Sequence, residues 1–266
     1  SHQRDDGKGG FVVEQYNGTT YAGDDITAYD GVTTVWSTVI TADNHAFYAN
    51  GKNLNVGGTP SGNIQADASM IIGAYSSSGY DFVGEVEQLI IFGSALSDTD
   101  RKLVERYLGS TGVGLYSDIP GLSTQALESL VAHYDGKTGV ETDGGSVVSW
   151  TPVDGYGDSL DEMIVRSTQI GNGAPELIKY GRPGKLIFDD TNVSADGRYL
   201  EGTLSNAKSK ELTVFWLGHY KADAPFATSG TYVYNIGINN TSHQRDDGKG
   251  GFVVEQYNGT TYAGDD

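Results

Sequence analysis

Short stretches of alternating or uniformly apolar residues recur along the chain, each closed off by glycine, asparagine, aspartate or serine. That texture predicts strands separated by tight turns. "GGFVVEQY" (9–16) runs into "NGTTYAG", where Asn17-Gly18 is a strong hairpin signal. "TTVWSTVITA" (33–42) and "HAFYANGKNLNV" (45–56) repeat the pattern, with Asn50-Gly51 at the turn. "ASMIIGAY" (68–75) and "GEVEQLIIFG" (84–93) follow, then "LVAHYDG" (130–136), "GSVVSWT" (145–151), "GKLIFDD" (184–190), "KELTVFWLGHY" (210–220) and "TYVYNIGI" (231–238). Strands at this spacing predict an all-β fold, a two-sheet antiparallel jelly-roll β-sandwich with one or two short helices. Trp36, Trp150 and Trp216 lie within apolar strands, which places them in its core.

One segment changes period. In "ALSDTDRKLVERYLG" (95–109), Leu103, Val104, Tyr107 and Leu108 form one helical stripe. Ser97 is the candidate N-cap, Asp98 and Asp100 suit the positive end of the helix dipole, and Gly109 supplies the stop. A second short helix is expected around "TQALESLVA" (124–132).

The organisation turns on a repeat. "SHQRDDGKGGFVVEQYNGTTYAGDD" occupies residues 1–25 and, unchanged, residues 242–266. The spacing is that of a whole domain, far beyond a solenoid or propeller unit. Two origins fit: an array of near-identical tandem domains, or one permuted domain with overlapping ends. Both require an internal boundary. The glycine- and proline-rich "YLGSTGVGLYSDIPGLS" supplies it, with the linker at residues 116–123. Residues 1–115 then read as the C-terminal portion of a unit, and 124–266 as the N-terminal portion of the next or the same unit. An eight-residue linker reaches roughly 27 Å at most, so a permuted unit could close on itself.

Composition narrows the partners. A net charge of −18, with 17 Lys and Arg and no basic cluster, argues against nucleic acid. No run of 18 or more apolar residues occurs, so no membrane insertion is expected. The absence of cysteine removes disulfides, thiolate metal sites and Cys nucleophiles.

Carboxylates cluster in loops. "YAGDDITAYDG" offers Asp24, Asp25 and Asp30, and "FDDTNVSADG" offers Asp189, Asp190 and Asp196. Such oxygen-rich loops are candidate Ca2+ sites, though neither follows the helix–loop–helix calcium pattern. "AYSSSGYDF" sets Tyr75, Tyr80 and Asp81 around a Ser/Gly loop, a candidate sugar-binding rim beside the alternative of a locally packed turn. Asn17, Asn192, Asn239, Asn240 and Asn258 head Asn-x-Ser/Thr sequons, candidate glycosylation sites. His133 reads as a half-buried strand residue.

"HAFYANGK", "SMIIGAYSSSGYDFVGEVEQLIIFGSALSDTDRKLVERYLGSTGVGL" and "ESLVAHYDGKTGVETDGGSVVSWTPVDGYGD" together resemble laminin G-like domains of the concanavalin A-like lectin/glucanase superfamily, in permuted order. The resemblance implies a jelly roll with adjacent termini. It also implies sugar, protein or calcium binding more often than catalysis. Glucanases of that superfamily carry acids as Glu-x-Asp-x-(x)-Glu on one strand. Here Glu85 and Glu87 share a face, but Leu89, Ile90 and Ile91 stand where a third acid would be.

The leading expectation is therefore a non-catalytic, extracellular or cell-surface lectin-like binding and adhesion module, repeated in tandem, with cell-surface or extracellular glycans as partners. One alternative is a filament or surface-layer subunit, whose partners are other copies of the same chain joined by segment exchange. A glycan hydrolase is the minor alternative.

Overall fold

The computed structural model describes residues 12–15, 27–29, 31–41, 45–54, 68–73, 82, 84–110, 119–143, 146–153, 163–164, 176–178, 184–188, 200–204, 211–220, 232–236, 242–246 and 251–256. Strands dominate them. β1 (Val12–Gln15) belongs to the first copy of the repeat, and β2 (Thr34–Ile40), β3 (His45–Ala49) and β4 (Lys52–Asn53) form a meander. β5 (Ala68–Ile72) and β6 (Gly84–Phe92) precede helices α1 (Asp98–Gly109) and α2 (Thr124–Glu128). β7 (Leu130–Asp135), β8 (Val140–Asp143), β9 (Ser146–Trp150), β10 (Met163–Ile164), β11 (Glu176–Ile178), β12 (Lys185–Phe188) and β13 (Leu200–Leu204) follow. β14 (Leu212–Tyr220), β15 (Tyr232–Ile236), β16 (Ser242–Asp246) and β17 (Gly251–Gln256) complete the order.

The meander continues through hydrogen bonds as β4-β3-β2-β14-β6, all antiparallel. The far edge of β6 is shared: Gly84–Val86 face β12, and Gln88–Phe92 face β7. From β12 the ladder passes through β11 to β9, which carries β8 on its other edge. It then runs β9-β10-β13-β5-β15-β16-β17-β1. Strands drawn from residues 1–115 and from 124–266 therefore alternate within one network.

The Asn50-Gly51 turn forms as the sequence predicts. Both residues are left-handed (φ 48° and 79°), the geometry a two-residue hairpin turn of matching twist requires. All three tryptophans are buried. Trp36 stacks on Trp216 at 5.5 Å and on Phe47 at 5.7 Å, and Phe82 meets Trp216 edge-on at 6.0 Å. This aromatic seam joins residues of both runs of strands in one apolar cluster, which includes Met70, Ile72, Leu200, Val233 and Tyr234. Burial on this scale supplies the main favourable term for so turn-rich a chain.

A second cluster lies beneath α1, where Val104 and Leu108 meet Val35, Ile90, Phe92, Phe215 and Leu217. The N-terminal cap holds as read from the sequence, whereas at the other end Gly109 stays within the helix and Ser110 is the C-cap. Ser97 Oγ accepts from Asp100 N–H at 3.1 Å. Asp100 in turn accepts from the backbone N–H and the hydroxyl of Ser123, the N-cap of α2, both at 2.9 Å. These hydrogen bonds hold the Asp100 carboxyl below its usual range against the opposing effect of burial, which is the largest single influence on it. Two helix starts are thus pinned by one carboxylate. α2 ends at Glu128, short of the expected "TQALESLVA", because Leu130–Ala132 are drawn into β7 against β6. Within the span expected to link two units, Ile119 is buried in the cluster beneath α1.

The sheet side of α1 carries buried charge. The Arg101 guanidinium lies 3.7 Å from the Tyr48 ring centroid and pairs with Glu105 and Asp98. Glu105 also accepts from Ser37 Oγ at 2.5 Å. A buried ion pair adds little net stability, but removing one partner strands the other, so the group fixes where α1 sits. Among the described residues, no helix is long and apolar enough to cross a membrane.

Candidate functional site

β6 changes character midway, and a bulge explains it. In its ladder with β14, Leu217 faces Gln88 and Gly218 faces Val86, leaving Glu87 as the extra residue. A bulge of this kind re-phases side chains along a strand. Val86, Leu89 and Ile91 point into the main core. Ile90 and Phe92 point to the opposite face, beneath α1. Glu85 and Glu87 lie on that same opposite face, beyond the end of the helix. With strict alternation, positions 85 and 87 would share a side with 89 and 91.

Gly218 makes the bulge possible. A Cβ there would sit 1.9 Å from the Glu85 carbonyl oxygen. Only glycine allows the two backbones to approach so closely.

The uncovered half of β6 opens onto a cleft of about 690 Å³. Glu85 and Glu87 line one wall, with Lys185 from β12 and His219 from β14. Val35 and Leu217 give it an apolar floor, and Leu108 and Gly109 close it at the C-terminal end of α1. Gly31, Val32 and Thr33, just before β2, form the rim with Asn50 of the hairpin turn. Asn50 is fixed by backbone and side chain together: its Oδ1 accepts from Val35 N–H at 2.9 Å, and its own N–H donates to the Val35 carbonyl at 2.8 Å.

Glu85 is the hub. Its Oε2 accepts from Lys185 Nζ and lies 3.2 Å from His219 Nδ1. All three side chains keep partial access to solvent, at 14, 21 and 20% exposure for Glu85, Lys185 and His219. The arrangement presents a carboxylate, a second carboxylate one pleat away, an ammonium and an imidazole beside an apolar floor. Hydrogen-bond donors and acceptors mixed over an apolar surface suit a ligand carrying hydroxyl groups on a carbon framework.

His133, next to the covered half of β6, is opposite Ile90 in the β6–β7 ladder. The sequence suggests half burial, but the ring is only 1% exposed. Tyr107 of α1 packs edge-on to it at 6.4 Å, completing the enclosure. Burial pushes its pKa down to about 4, so the ring is neutral at pH 7, and neither nitrogen has a hydrogen-bond partner among the described residues. Two residues on, burial raises the pKa of Asp135, whose Oδ1 accepts from Lys137 N–H at 2.9 Å.

Of the sequence-predicted candidates, Glu85 and Glu87 come together in the cleft as their spacing implies. The sugar-rim candidates Tyr75, Tyr80 and Asp81 lie outside the described residues. So do the calcium candidates Asp24, Asp25, Asp30, Asp189, Asp190 and Asp196, and the sequons at Asn17, Asn192, Asn239, Asn240 and Asn258. Among the described residues, no three His, Asp or Glu side chains converge as a metal site would require. Lys185 carries no local signal that it belongs to the site, because its partner is 100 residues away. No family model, no curated protein and no solved structure matches this chain.

Proposed function

We propose that this chain is a non-catalytic, lectin-like binding module of laminin G-like, jelly-roll architecture. Its ligand is a neutral, hydroxyl-rich glycan held in the cleft at the β6 bulge. The observation that carries this reading is the Glu85–Lys185–His219 cluster set above Val35 and Leu217. Sugar hydroxyls both donate and accept, so they can bridge the carboxylates and the basic groups. The C–H face of a pyranose can cover the apolar floor. The net charge of −18 works against anionic ligands.

Two features support binding over hydrolysis. Glycoside hydrolysis needs one carboxyl that is protonated at the leaving oxygen and a second that acts as base or nucleophile. Glu85 is anchored by Lys185 and lies beside His219, which leaves it placed to accept hydrogen bonds from a bound ligand. The third acid of the Glu-x-Asp-x-(x)-Glu pattern that the resemblance would bring is absent, with buried Leu89, Ile90 and Ile91 in its place. An extracellular setting, tandem copies that raise avidity and Ca2+ in the acidic loops belong to the same proposal. It is tested by probing a glycan array and assaying reducing-sugar release on every glycan bound. Retention without release is expected. Release abolished in Glu85→Gln or Glu87→Gln would establish the hydrolase instead.

A further inference from the structure

Where the second copy of the repeat docks shows what the first copy can do. Residues 242–246 form β16 and lie antiparallel on β15, with Tyr232 opposite Arg245, Tyr234 opposite Gln244, Asn235 opposite His243 and Ile236 opposite Ser242. β17, residues 251–256, folds back on β16 through five further pairs. The second copy therefore occupies a receptor edge and forms a hairpin on it. The first copy contains the same residues, yet its described strand, β1, adds only four parallel pairs to β17. Those pairs are staggered: Val12 faces Gly251, whereas the residue identical to it is Val253. A short parallel edge pairing holds less firmly than an antiparallel hairpin seated on a sheet. The chain thus carries one β15 edge, filled by β16, and a second segment of identical sequence, whose described strand β1 makes only the weaker, staggered pairing with β17.

We infer that β15 is a receptor for this segment whichever chain carries it. Residues 1–15 of one molecule dock on β15 of a second copy and displace its own β16–β17 hairpin, giving open, head-to-tail association. The backbone pattern recognised on β15 is met equally by residues 1–5 and 242–246, because the two sequences are identical. The difference between them is the tether. This is strand addition with a segment exchanged between protomers, and its asymmetry favours chains of molecules over closed dimers. It does not depend on what the cleft binds.

The chain has no cysteine, so introduced thiols report directly. Residues paired across antiparallel strands lie within disulfide reach. In the full chain, Asn235→Cys with His243→Cys should close within one molecule, which verifies the β15–β16 register. Asn235→Cys with His2→Cys should instead give a ladder of disulfide-linked multimers whose yield rises with protein concentration. Adding Gln244→Pro, which disables the resident strand, should raise that yield several-fold, whereas adding Gln3→Pro should abolish it. The inference is overturned if the His2/Asn235 chain closes only on itself. It is also overturned if that chain stays unlinked while the His243/Asn235 chain closes.

Discussion

The two halves of β6 show how one strand can serve both packing and recognition. From Gln88 to Phe92 the strand is buried on both faces, between the aromatic seam and α1. From Gly84 to Glu87 one face still fills the core through Val86, while the other carries Glu85 and Glu87 into a cleft. The bulge at Glu87 sets the phase, and the end of α1 at Gly109 determines where cover stops. The covered half should therefore govern stability and the open half binding, with little exchange between the two roles.

The largest effect is expected where cover is complete. Phe92→Ala removes a ring that meets Phe215 edge-on at 5.7 Å beneath α1, and should cost about 3–5 kcal/mol in urea unfolding. Next comes pH. The folded chain keeps His133 neutral down to pH about 4, whereas an unfolded chain protonates it near its ordinary value of 6.5. Stability should therefore fall as pH drops from about 6.5 to 4, by ~3 kcal/mol, and this loss should level off below that window. Asp135 acts with the opposite sign. Its raised pKa costs stability once it ionises, a cost relieved as pH falls through its folded pKa. His133→Phe should flatten the histidine limb of the profile in a chemical-denaturation series across pH.

Smaller effects test the boundary between the halves. Gly218→Ala drives a methyl group into the Glu85 carbonyl and should cost about 1–3 kcal/mol. It should also weaken ligand retention, because it displaces the strand that carries both acids. Glu85→Gln should shift the melting midpoint least. Glutamine keeps the shape of the side chain and an oxygen that can still accept from Lys185, and both groups keep partial access to solvent. A large loss of stability in Glu85→Gln, or an unchanged ligand affinity in Gly218→Ala, would erase the division of labour.

Local chemistry made some of this legible in the sequence. The capped helix, the Asn50-Gly51 turn and the shared face of Glu85 and Glu87 depend on residues within a few positions of each other. The buried tryptophans followed from apolar strand context. The bulge was not legible, because it arises only from the register between β6 and β14. Nor was the recruitment of Lys185 and His219, which come from strands paired to β6 on opposite edges. β16 was hidden for a different reason. "SHQRD" is wholly polar and lacks a strand pattern, and it becomes a strand by pairing with β15 on one side and β17 on the other.

The most direct test of the cleft is a titration of a glycan hit from the array against the native chain, Glu85→Gln and Lys185→Met, with melting temperatures recorded alongside. Loss of a charged hydrogen-bonding partner should weaken binding by about tenfold or more in both variants, while melting moves little. Undiminished binding in both variants, or an array that retains no glycan at all, would contradict a glycan site at the β6 bulge.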